Sequence, residues 1–490
     1  MFFMVKTRMA PSPTGEFHIG GMRTLLYDYA FAKKNNGRFI IRVEDTDRER
    51  YVEGSIERAL QVIKDYGLSW DEGPDIGGPF APYIQSQRLD LYKKYALDLI
   101  DKGHAYHCFC TKERLDELRK AQQAAHLPTT KYDKHCLSLS SEQVQKNLST
   151  DVPYVIRLNV PSDKVLAYDD LFLGKVEFPS NDIDDQVLLK SDGFPTYHLA
   201  VVVDDHLMEI THIFRGVDWL ASTPKHILLY DFFGWEMPKT GHLPNLKEIG
   251  VNKKMSKRFG DVAAAEFLKN GYLPEALLNF LMLLGWNPGT EREVFSLEDF
   301  IDAFSLEHIH KTDLVAFDRE KLLWFNGCYI RQMEEEALYN RIVAWAQKWG
   351  VNIGIDEHDR DYVIKVLALI KDRMKTLVDF VSLSKYFFVD PKVEPAKVRS
   401  VAGDKHSEIL LGVDRIAAGL SSSDWTKGNL DKEFHDFAKR SGYTSSQALG
   451  TARVVVTGED ATPPLADLLE VLGKDTVLRR IRAALSTNSI

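Results

Sequence analysis

The first 45 residues restrict the fold more than any other stretch, because strand-like and helix-like patterns alternate in them. The apolar run FFMV at residues 2–5 predicts a strand, and a Pro/Gly loop follows at residues 11–15. A helix is expected from about Gly21 to Lys34, and the stretch RFIIRVED after Gly37 predicts a second, buried strand. Strand, helix and strand in this spacing form a βαβ unit, which implies a parallel sheet.

The pattern changes twice further along the chain. Residues 108–192 contain clustered cysteines, the polar helical stretch TKERLDELRKAQQAA and strand-like runs such as YVIRLNV, so we interpret them as an insertion. Strands of the parallel sheet are expected to resume at TYHLAVVVDDHL and THIFRGVDW, and the next helix is expected to open at Ser222, Thr223 and Pro224. Helical periodicity dominates from Ala264 onward.

The composition favours a soluble protein with several globular domains. The chain has 490 residues, of which 44% are hydrophobic and 27% charged. Lys6 and Arg8 interrupt the apolar start, so no secretory signal is expected, and the apolar run at residues 275–286 is too short to span a membrane. Four cysteines, three of them between residues 108 and 136, favour a metal site in a reducing cytosol over a disulfide framework. The net charge of −9 argues mildly against a general nucleic-acid binder.

The loop SPTGEFHIGG lies between the first strand and the first helix, where sheets of this kind bind their ligands. Helix N-termini offer unpaired N–H groups to anions there. Gly20 and Gly21 lack side chains, so a base or a phosphate can approach the backbone, and His18 can donate a hydrogen bond to a phosphate oxygen. The same residues also fit a glycine-rich turn that only caps the helix, and their spacing does not decide between the two readings.

A second candidate is the basic loop NKKMSKRFGD, in which Lys253, Lys254, Lys257 and Arg258 are crowded between two glycines. An anion would stabilise so many neighbouring cations, and a loop bounded by glycines could close over a triphosphate. A solvated surface loop is the simpler reading of an isolated charge run. The combination with the HIGG loop favours phosphate binding.

HIGG near the start of a βαβ unit and KMSKR far downstream resemble the paired signature of class I aminoacyl-tRNA synthetases. Longer segments are similar, in the same order, to segments of bacterial-type glutamyl-tRNA synthetases. They are RMAPSPTGEFHIGGMRT, RVEDTDRERY, KMSKRFGD followed by GYLPEALLNFLMLLGW, FDREKLLWFNGCYIR and LADLLEVLGKDTVLRRIRAAL. The resemblance covers nearly the whole chain.

The resemblance implies an α/β fold in which a Rossmann-type parallel-sheet catalytic domain is split by an α+β insertion and followed by all-α C-terminal domains. The halves of the catalytic domain are expected at residues 1–107 and 193–250, and the inserted domain at residues 108–192 is expected to bind the acceptor end of tRNA. Residues 251–325 are expected to form the KMSKR loop and a stem-contact helical domain, and residues 326–490 the helical anticodon-binding region.

The resemblance also implies the reaction. L-Glutamate is activated with ATP to glutamyl-adenylate, with Mg²⁺ on the nucleotide, and the glutamyl group is then transferred to the 3′-terminal ribose of tRNA(Glu). The implied catalytic residues are His18, Lys254 and Lys257. The implied ATP-binding residues are His18, Gly20, Gly21, Trp219, Lys254, Ser256 and Lys257. A core position for Trp219 is equally compatible with the sequence.

For the amino acid, the resemblance implies contacts from Arg8, Ala10, Ser12, Glu44, Tyr197 and Arg215. Glu44 is expected on the ammonium group, with Tyr197 and Arg215 near the side chain. Arg8 and Arg215 each lie near the end of a predicted buried strand, where a guanidinium group is costly without an anion. Some relatives have a substrate-binding asparagine at the position of Val201, so that contact is not expected here.

The cysteine cluster resembles a zinc site that some relatives carry. The expected ligands are Cys108, Cys110, Tyr132 and Cys136, with His135 as the alternative to the tyrosine. Ser138 stands where a Cys-x-His pair would place a histidine. Because tetrahedral zinc needs four ligands, three buried thiols without metal are the competing interpretation.

Other members of the same superfamily offer alternative readings. Glutaminyl-tRNA synthetases share the catalytic fold but have β-barrels in the C-terminal half, and a shortened relative that glutamylates a modified tRNA base lacks an anticodon-binding region. The helical pattern after residue 264 disfavours both. A catalytically silent RNA-binding descendant is disfavoured by the intact HIGG and KMSKR loops. The sequence leaves open whether tRNA(Gln) is also charged, and a cytoplasmic monomer is expected.

Overall fold

The computed structural model describes residues 4–127, 129–251, 253–255, 262–312, 314–355 and 357–486. The chain forms two compact units. The first comprises Met1–Phe267 and Leu277–Arg319, and the second comprises Leu268–Ala276 and Glu320–Ile490.

The first unit combines strands and helices. The strands are β1 (Lys6–Met9), β2 (Arg38–Ile41), β3 (Ala105–Cys108), β4 (Val155–Leu158), β5 (Val165–Asp170), β6 (Gly174–Pro179), β7 (Val187–Leu189), β8 (His212–Gly216), β9 (Lys239–Leu243), β10 (Asn245–Glu248) and β11 (Leu314–Phe317). The helices up to residue 303 are α1 (Ile19–Lys34), α2 (Ser55–Asp65), α3 (Leu89–Asp101), α4 (Lys112–Ala124), α5 (Ser141–Ser149), α6 (Tyr197–Leu207), α7 (Thr223–Phe233), α8 (Ala264–Lys269), α9 (Pro274–Met282) and α10 (Leu297–Ala303).

The predicted βαβ unit is present, because β1 and β2 pair in parallel and α1 connects them. The first strand was predicted too early, since β1 begins at Lys6 and not at FFMV, of which residues 2 and 3 lie outside the described residues. Charged residues concealed this strand in the sequence. Lys6 and Arg8 are buried in β1, where Glu72 and Asp205 provide their counter-charges.

The prediction of a strand at TYHLAVVVDDHL was wrong, because this segment forms α6. Its residues from His198 to Asp205 are all buried. A helix that is buried on every side shows no amphipathic period, so its run of valines reads like a buried strand. The error matters for the site, since α6 ends with the buried carboxylates of Asp204 and Asp205.

The second part of the parallel sheet follows α6. β8 and β9 pair in parallel, and the backbone N–H of Thr211 donates to the carbonyl of Lys6 at 2.9 Å, which places β8 beside β1. The helix predicted to open at Ser222 is α7, with Ser222 as its N-cap residue and Pro224 in its first turn. β10 and β11 form a further parallel pair.

The segment between the two parallel parts is a mixture of helices and antiparallel strands. β3, β4 and β7 form one antiparallel sheet, and β5 and β6 form a hairpin. The β5–β6 hairpin ends in a turn at Gly174, whose φ of 78° favours glycine. The α/β class with an inserted α+β region is confirmed.

The second unit is helical. Its elements after residue 318 are α11 (Arg319–Gln332), α12 (Glu335–Trp349), α13 (Arg360–Ile370), α14 (Asp379–Phe388), α15 (Pro395–Ala402), α16 (His406–Gly419), α17 (Lys427–Ser441), α18 (Ser445–Thr457), α19 (Leu465–Leu472) and α20 (Lys474–Ser486). Apolar side chains from these helices form one continuous core, in which Trp425 donates from Nε1 to the carbonyl of Leu469 at 2.9 Å. Among the described residues, no helix has both the length and the apolar character that a bilayer crossing requires.

Candidate active site

A cavity of about 510 Å³ lies where β1 and β8 end and α1 begins. Parallel sheets of this type bind ligands at the carboxyl ends of their strands. Every described residue that the sequence analysis assigned to ATP or glutamate lines this one cavity. These residues are Arg8, Ala10, Ser12, His18, Gly20, Gly21, Glu44, Tyr197, Arg215, Trp219 and Lys254. Ser256 and Lys257 lie outside the described residues.

His18 is the N-cap residue of α1. Its Nδ1 accepts a hydrogen bond of 2.9 Å from the backbone N–H of Gly20. A neutral imidazole that accepts at Nδ1 carries its proton on Nε2, which is therefore the nitrogen that donates to a ligand. The capping reading and the phosphate-binding reading are thus compatible, because the cap selects the tautomer that phosphate binding needs.

Gly20 and Gly21 form the first turn of α1. A Cβ atom on Gly20 would lie 3.1 Å from Nδ1 of His18, and a Cβ atom on Gly21 would lie 3.3 Å from the ring of Phe17. Both separations are shorter than ordinary van der Waals contact. The absence of side chains here therefore keeps the His18 ring in place as well as leaving the backbone open.

Lys254 lies at the mouth of the cavity, where its ammonium group pairs with Oδ2 of Asp218. Asn245 donates from Nδ2 to Oδ1 of the same carboxylate at 2.5 Å. Sequence reasoning did not identify Asp218 or Asn245, because each is a single polar residue without a recognisable motif. The Lys254 side chain is 56% exposed, so a phosphate ligand would compete with Asp218 for it.

A buried network of three arginines and three carboxylates lies behind the cavity: Arg8, Arg42, Arg88, Glu44, Asp204 and Asp205. Arg42 is its centre, with contacts of 2.7 Å to Asp205, 2.9 Å to Glu44 and 3.7 Å to Asp204. Sequence reasoning missed Arg42 and both aspartates. The dipeptide Asp204-Asp205 after a run of valines was the available signal, but it was read as the polar end of a strand.

Arg8 has an internal counter-charge. Its Nε and Nη2 donate to the two carboxylate oxygens of Asp205 at 3.2 and 3.3 Å. Burial alone would raise the pKa of Asp205, but the charges of Arg42 and Arg8 outweigh burial and lower it. The anion expected near the buried Arg8 is therefore supplied by Asp205 of the protein itself, so the burial of Arg8 does not by itself indicate a bound ligand, although Arg8 lines the cavity.

Glu44 is the buried acidic residue of the cavity wall, whereas Asp218 is partly exposed. Burial has the largest effect and raises the pKa of Glu44, although the charges of Arg42 and Arg8 oppose the increase. Its Oε1 accepts from Nη2 of Arg42 at 2.9 Å. An ammonium group in the cavity would add a positive charge beside Glu44 and favour its ionised form.

Arg215 differs from Arg8 because its hydrogen-bond acceptors are neutral groups. Nε donates to Nε2 of His242 at 3.0 Å, Nη2 donates to Oγ1 of Thr223 at 2.9 Å, and Nη1 donates to Oη of Tyr197 at 3.3 Å. In the part of the chain that the structure describes, no carboxylate forms an ion pair with Arg215. Among the described residues, two buried arginines without a carboxylate partner line the cavity, Arg215 and Arg23, and Arg23 donates to the backbone carbonyls of Leu284 and Pro244.

Two buried histidines next to Arg215 are kept neutral. Nδ1 of His198 lies 3.1 Å from Nε2 of His226, and Nδ1 of His226 lies 3.3 Å from Nη1 of Arg215. Burial, together with the charges of Lys225 and Arg215, lowers the pKa of His198 to about 3. Burial and the Arg215 charge also lower the pKa of His226. Uncharged imidazoles at these positions avoid repulsion of the Arg215 guanidinium.

Trp219 forms part of the cavity wall and is not a core residue. Its side chain is 43% exposed, and its ring centroid lies 4.5 Å from that of Tyr197. The structure therefore favours the first of the two readings of this tryptophan. Val201 is buried in α6 and does not line the cavity.

The cysteine cluster is assembled as predicted. The Sγ atoms of Cys108, Cys110 and Cys136 lie within 4.8 Å of one another, and Oη of Tyr132 lies 3.2 Å from Sγ of Cys110. His135, the alternative ligand, is exposed and does not belong to this group. The hydrogen bond between Cys108 and Cys136 lowers the pKa of Cys108 and raises that of Cys136, because the two thiols share one proton. Three cysteine sulfur atoms are typical zinc ligands, and the phenol oxygen of Tyr132 is a fourth donor atom beside them.

Two family models match the chain in agreement with this architecture. One is described as tRNA synthetases class I (E and Q), catalytic domain, and matches residues 4–324. The other is described as anticodon binding domain and matches residues 336–485. The parallel sheet with its ligand cavity and the helical region after it are those of class I aminoacyl-tRNA synthetases.

Individual relatives show which synthetases of this class the chain resembles. The chain is 43% identical over 490 residues to the glutamate–tRNA ligase of Clostridioides difficile (strain 630), covering 97% of this chain and 98% of that one. It is 43% identical over 508 residues to the glutamate–tRNA ligase of Chlorobaculum parvum (strain DSM 263 / NCIMB 8327), covering 99% and 98%. The crystal structure of a glutamate tRNA ligase from Elizabethkingia meningosepticum CCUG26117 in complex with its amino acid is similar with a TM-score of 0.89 at 35% identity, covering 99% of each chain. The chain belongs to the family of glutamate–tRNA ligases, which confirms the resemblance found in the sequence.

Asp205→Asn should lower the free energy of unfolding of the first unit by about 3–5 kcal/mol, because Arg8 and Arg42 would lose the carboxylate they share in a buried site. Denaturant unfolding followed by tryptophan fluorescence measures the change. Asp47→Asn is the matched control, since its exposed pair with Arg50 should contribute less than about 1 kcal/mol. Equal changes in the free energy of unfolding for the two variants would contradict the stabilising role of the buried network.

The substitution His198→Gln should make the melting temperature of the protein fall less as the pH is lowered. The folded pKa of His198 is about 3 and the ordinary value is 6.5, so between these values the unfolded chain binds a proton that the folded chain excludes. This contribution to stability is fully present above pH 6.5 and is lost as the pH falls. The melting temperature should therefore fall more between about pH 7.5 and pH 5 in the wild type than in the variant. The exposed His435→Gln should behave like the wild type, and identical slopes for all three proteins would refute the assignment.

Proposed function

We propose that the chain activates L-glutamate with ATP and transfers the glutamyl group to the 3′-terminal ribose of tRNA(Glu). One observation carries the choice of amino acid. The buried cation of Arg215, which no described carboxylate neutralises, shares a cavity with the carboxylate of Glu44. A ligand with an anionic side chain and an ammonium group complements both charges. The names of the relatives and the amino acid bound in the Elizabethkingia meningosepticum structure support the same choice.

The amino acid would lie between the two charges. Arg215 and Tyr197 approach the side-chain carboxylate, and Glu44 approaches the ammonium group. Arg8, Ala10 and Ser12 complete the amino-acid pocket from β1 and the loop after it. Because Asp205 neutralises Arg8 and backbone carbonyls accept the hydrogen bonds of Arg23, we assign the side-chain carboxylate to Arg215.

ATP would occupy the part of the cavity next to the N-terminus of α1. His18 donates from Nε2 to a phosphate oxygen, Gly20 and Gly21 let the nucleotide approach the backbone, and Trp219 borders the site. Lys254, Ser256 and Lys257 are assigned to the phosphates that leave as pyrophosphate. Mg²⁺ accompanies ATP and neutralises part of its charge.

The chemistry requires positioning and charge stabilisation more than proton transfer. The α-carboxylate of glutamate attacks the α-phosphorus of ATP in line, an O–P bond forms, and pyrophosphate leaves. A ribose hydroxyl of tRNA then attacks the activated carbonyl, and AMP leaves. Lys254, Lys257 and the N-terminus of α1 supply the positive charge that stabilises the phosphate oxygens in the first step.

The nucleic-acid partner is assigned to other parts of the chain. Residues 108–192 are proposed to contact the acceptor end and residues 251–325 the stem, and the region from 326 to 490, which includes the match to an anticodon-binding domain, is proposed to read the anticodon. Charging of tRNA(Gln) as well remains part of the hypothesis to be tested. We further propose that the protein is a monomer and that it acts in the cytoplasm. Its four cysteines are all free thiols, which agrees with a reducing compartment.

Aminoacylation with radiolabelled glutamate tests the proposal directly. The purified protein, ATP and Mg²⁺ are incubated with tRNA(Glu) or tRNA(Gln), and with labelled glutamine in parallel. Glutamate should be attached to tRNA(Glu), and attachment to tRNA(Gln) as well would identify a relaxed anticodon reader. If glutamate is attached to neither tRNA, the proposed function is wrong.

Arg215→Ala should raise the KM for glutamate at least about 30-fold and leave the KM for ATP within about threefold of the wild type, because the substrate carboxylate would lose a buried charged donor. Steady-state aminoacylation at saturating tRNA measures both constants. Arg50→Gln, which changes an exposed arginine, should leave both unchanged. If Arg215→Ala leaves the glutamate KM unchanged, Arg215 does not bind the side chain of the substrate and the pocket for that side chain lies elsewhere.

We also propose that Cys108, Cys110, Cys136 and Tyr132 hold a structural zinc ion. The convergence of three sulfur atoms and one phenol oxygen in the folded chain supports the assignment. The cluster ties β3 to the turn around residue 136, since the backbone N–H of Phe109 lies 3.4 Å from Sγ of Cys136. Zinc would stabilise this part of the inserted region and take no part in the chemistry of the cavity.

Elemental analysis of the purified protein should find about one zinc ion per chain. Cys136→Ser should lose the zinc and lower the melting temperature, because a thiolate ligand is removed. Cys328→Ser is the matched control, since Cys328 lies in α11 outside the cluster. This variant should retain the metal. Wild-type protein without zinc after expression in zinc-supplemented medium would exclude the site.

A further inference from the structure

His242 is a buried histidine of β9 that contacts Arg215, and no motif pointed to it. Nε of Arg215 donates to Nε2 of His242 at 3.0 Å, and the His242 side chain is completely buried. A guanidinium group has only donors, so Nε2 of His242 must carry a lone pair. The imidazole is therefore neutral, with its proton on Nδ1.

The proton on Nδ1 of His242 points to Asp170, the last residue of β5. Nδ1 lies 2.5 Å from Oδ2 of Asp170. Asp170 thus selects the tautomer of His242 that can accept from Arg215. An Asp–His pair of this kind controls the orientation and tautomer of the ring without being consumed in the reaction.

Asp170 is itself held firmly. Its Oδ1 accepts from the backbone N–H groups of Phe172 at 2.9 Å and Leu173 at 3.0 Å, and its Oδ2 accepts from Oη of Tyr168 at 2.8 Å. Burial alone would raise the pKa of Asp170, but the hydrogen bonds from His242, Leu173 and Phe172 outweigh burial and lower the pKa to about 2. Burial also lowers the pKa of His242. Both results agree with an ionised aspartate next to a neutral imidazole.

His242 orients the Arg215 guanidinium without neutralising its charge, because the imidazole is uncharged. Arg8 is paired directly with the carboxylate of Asp205. Arg215 instead contacts the imidazole of His242, and that imidazole contacts the carboxylate of Asp170. A direct carboxylate partner would satisfy the guanidinium charge inside the protein and leave less attraction for a ligand. An imidazole acceptor fixes the guanidinium in place and keeps its charge for the cavity.

We propose that Asp170 and His242 are positioning residues that set the selectivity of the cavity for an amino acid with a carboxylate side chain over one with a neutral amide. The proposal rests on the proposed function, because Arg215 is taken to bind the substrate side chain. A glutamate side chain supplies the negative charge that Arg215 lacks, whereas a glutamine side chain supplies none. Neither Asp170 nor His242 lines the cavity, so both act through Arg215.

Asp170→Asn tests the proposal with nearly unchanged volume. The asparagine amide can present N–H groups to Nδ1 of His242, which favours the opposite tautomer and turns Nε2–H toward the Nε–H of Arg215. Aminoacylation kinetics should show a glutamate KM raised by about 10- to 100-fold with the ATP KM unchanged. The ratio of kcat/KM for glutamate to that for glutamine should fall by a similar factor, because the guanidinium is no longer held toward the side chain.

His242→Asn is the second variant. Its amide can still donate to Asp170, but its side chain is too short to accept from Arg215, so it should show the same loss of selectivity through a different change. Asp185→Asn is the matched control, since Asp185 is a buried, hydrogen-bonded aspartate of the same inserted region outside the cavity. It should lower the melting temperature without changing the glutamate KM or the selectivity ratio.

The outcomes separate this inference from the function on which it rests. Wild-type protein that fails to charge tRNA(Glu) with glutamate would refute the proposed function. Wild-type activity, together with Asp170→Asn and His242→Asn variants that fold but keep the wild-type glutamate KM and selectivity, would overturn the inference alone. A purely structural role predicts lower stability and lower kcat for both amino acids with an unchanged ratio, which would also overturn it.

Discussion

The site depends on the burial of Arg42, whose side chain has no exposure to solvent. A buried guanidinium charge is costly unless it is paired or fully hydrogen-bonded, and three carboxylates compensate that of Arg42. Arg42 follows β2 directly, and its partners Asp204 and Asp205 lie in the last turn of α6, so charge neutrality ties these two elements together. The same charge holds Glu44 at 2.9 Å. One buried cation thereby sets the position of the acidic wall of the cavity and of the helix that carries Tyr197.

The cavity treats its two substrate-facing arginines differently. Arg8 is neutralised by Asp205, and Arg215 is held by neutral acceptors only. The neighbouring imidazoles of His198 and His226 are kept uncharged by burial and by the Arg215 charge itself. As a result, the charge of Arg215 stays available for a ligand, which suits an anionic side chain.

Local pattern predicted the parts of the fold that glycines, prolines and capping residues delimit. The βαβ unit and the start of α7 were recognised because strand and helix periods, glycines and capping residues agreed with each other. α6 was mistaken for a strand because every side of it between His198 and Asp205 is buried, which removes the helical period. β1 was placed too early because charged residues are read as exposed, whereas carboxylates distant in the sequence, Glu72 and Asp205, compensate the buried Lys6 and Arg8.

The sequence alone determined the family and identified many of the residues that line the cavity, since motifs such as HIGG and KMSKR are local. It could not determine which charges neutralise each other. Arg42 and Asp205 are 163 residues apart, and Arg215 and His242 are 27 residues apart on neighbouring strands. Side-chain contacts over such separations exist only after the sheet has formed, because strand register and helix packing bring the atoms within hydrogen-bonding distance. The tertiary structure therefore decided that Arg8 is compensated, that Arg215 is not, and that an Asp–His pair holds Arg215 in place.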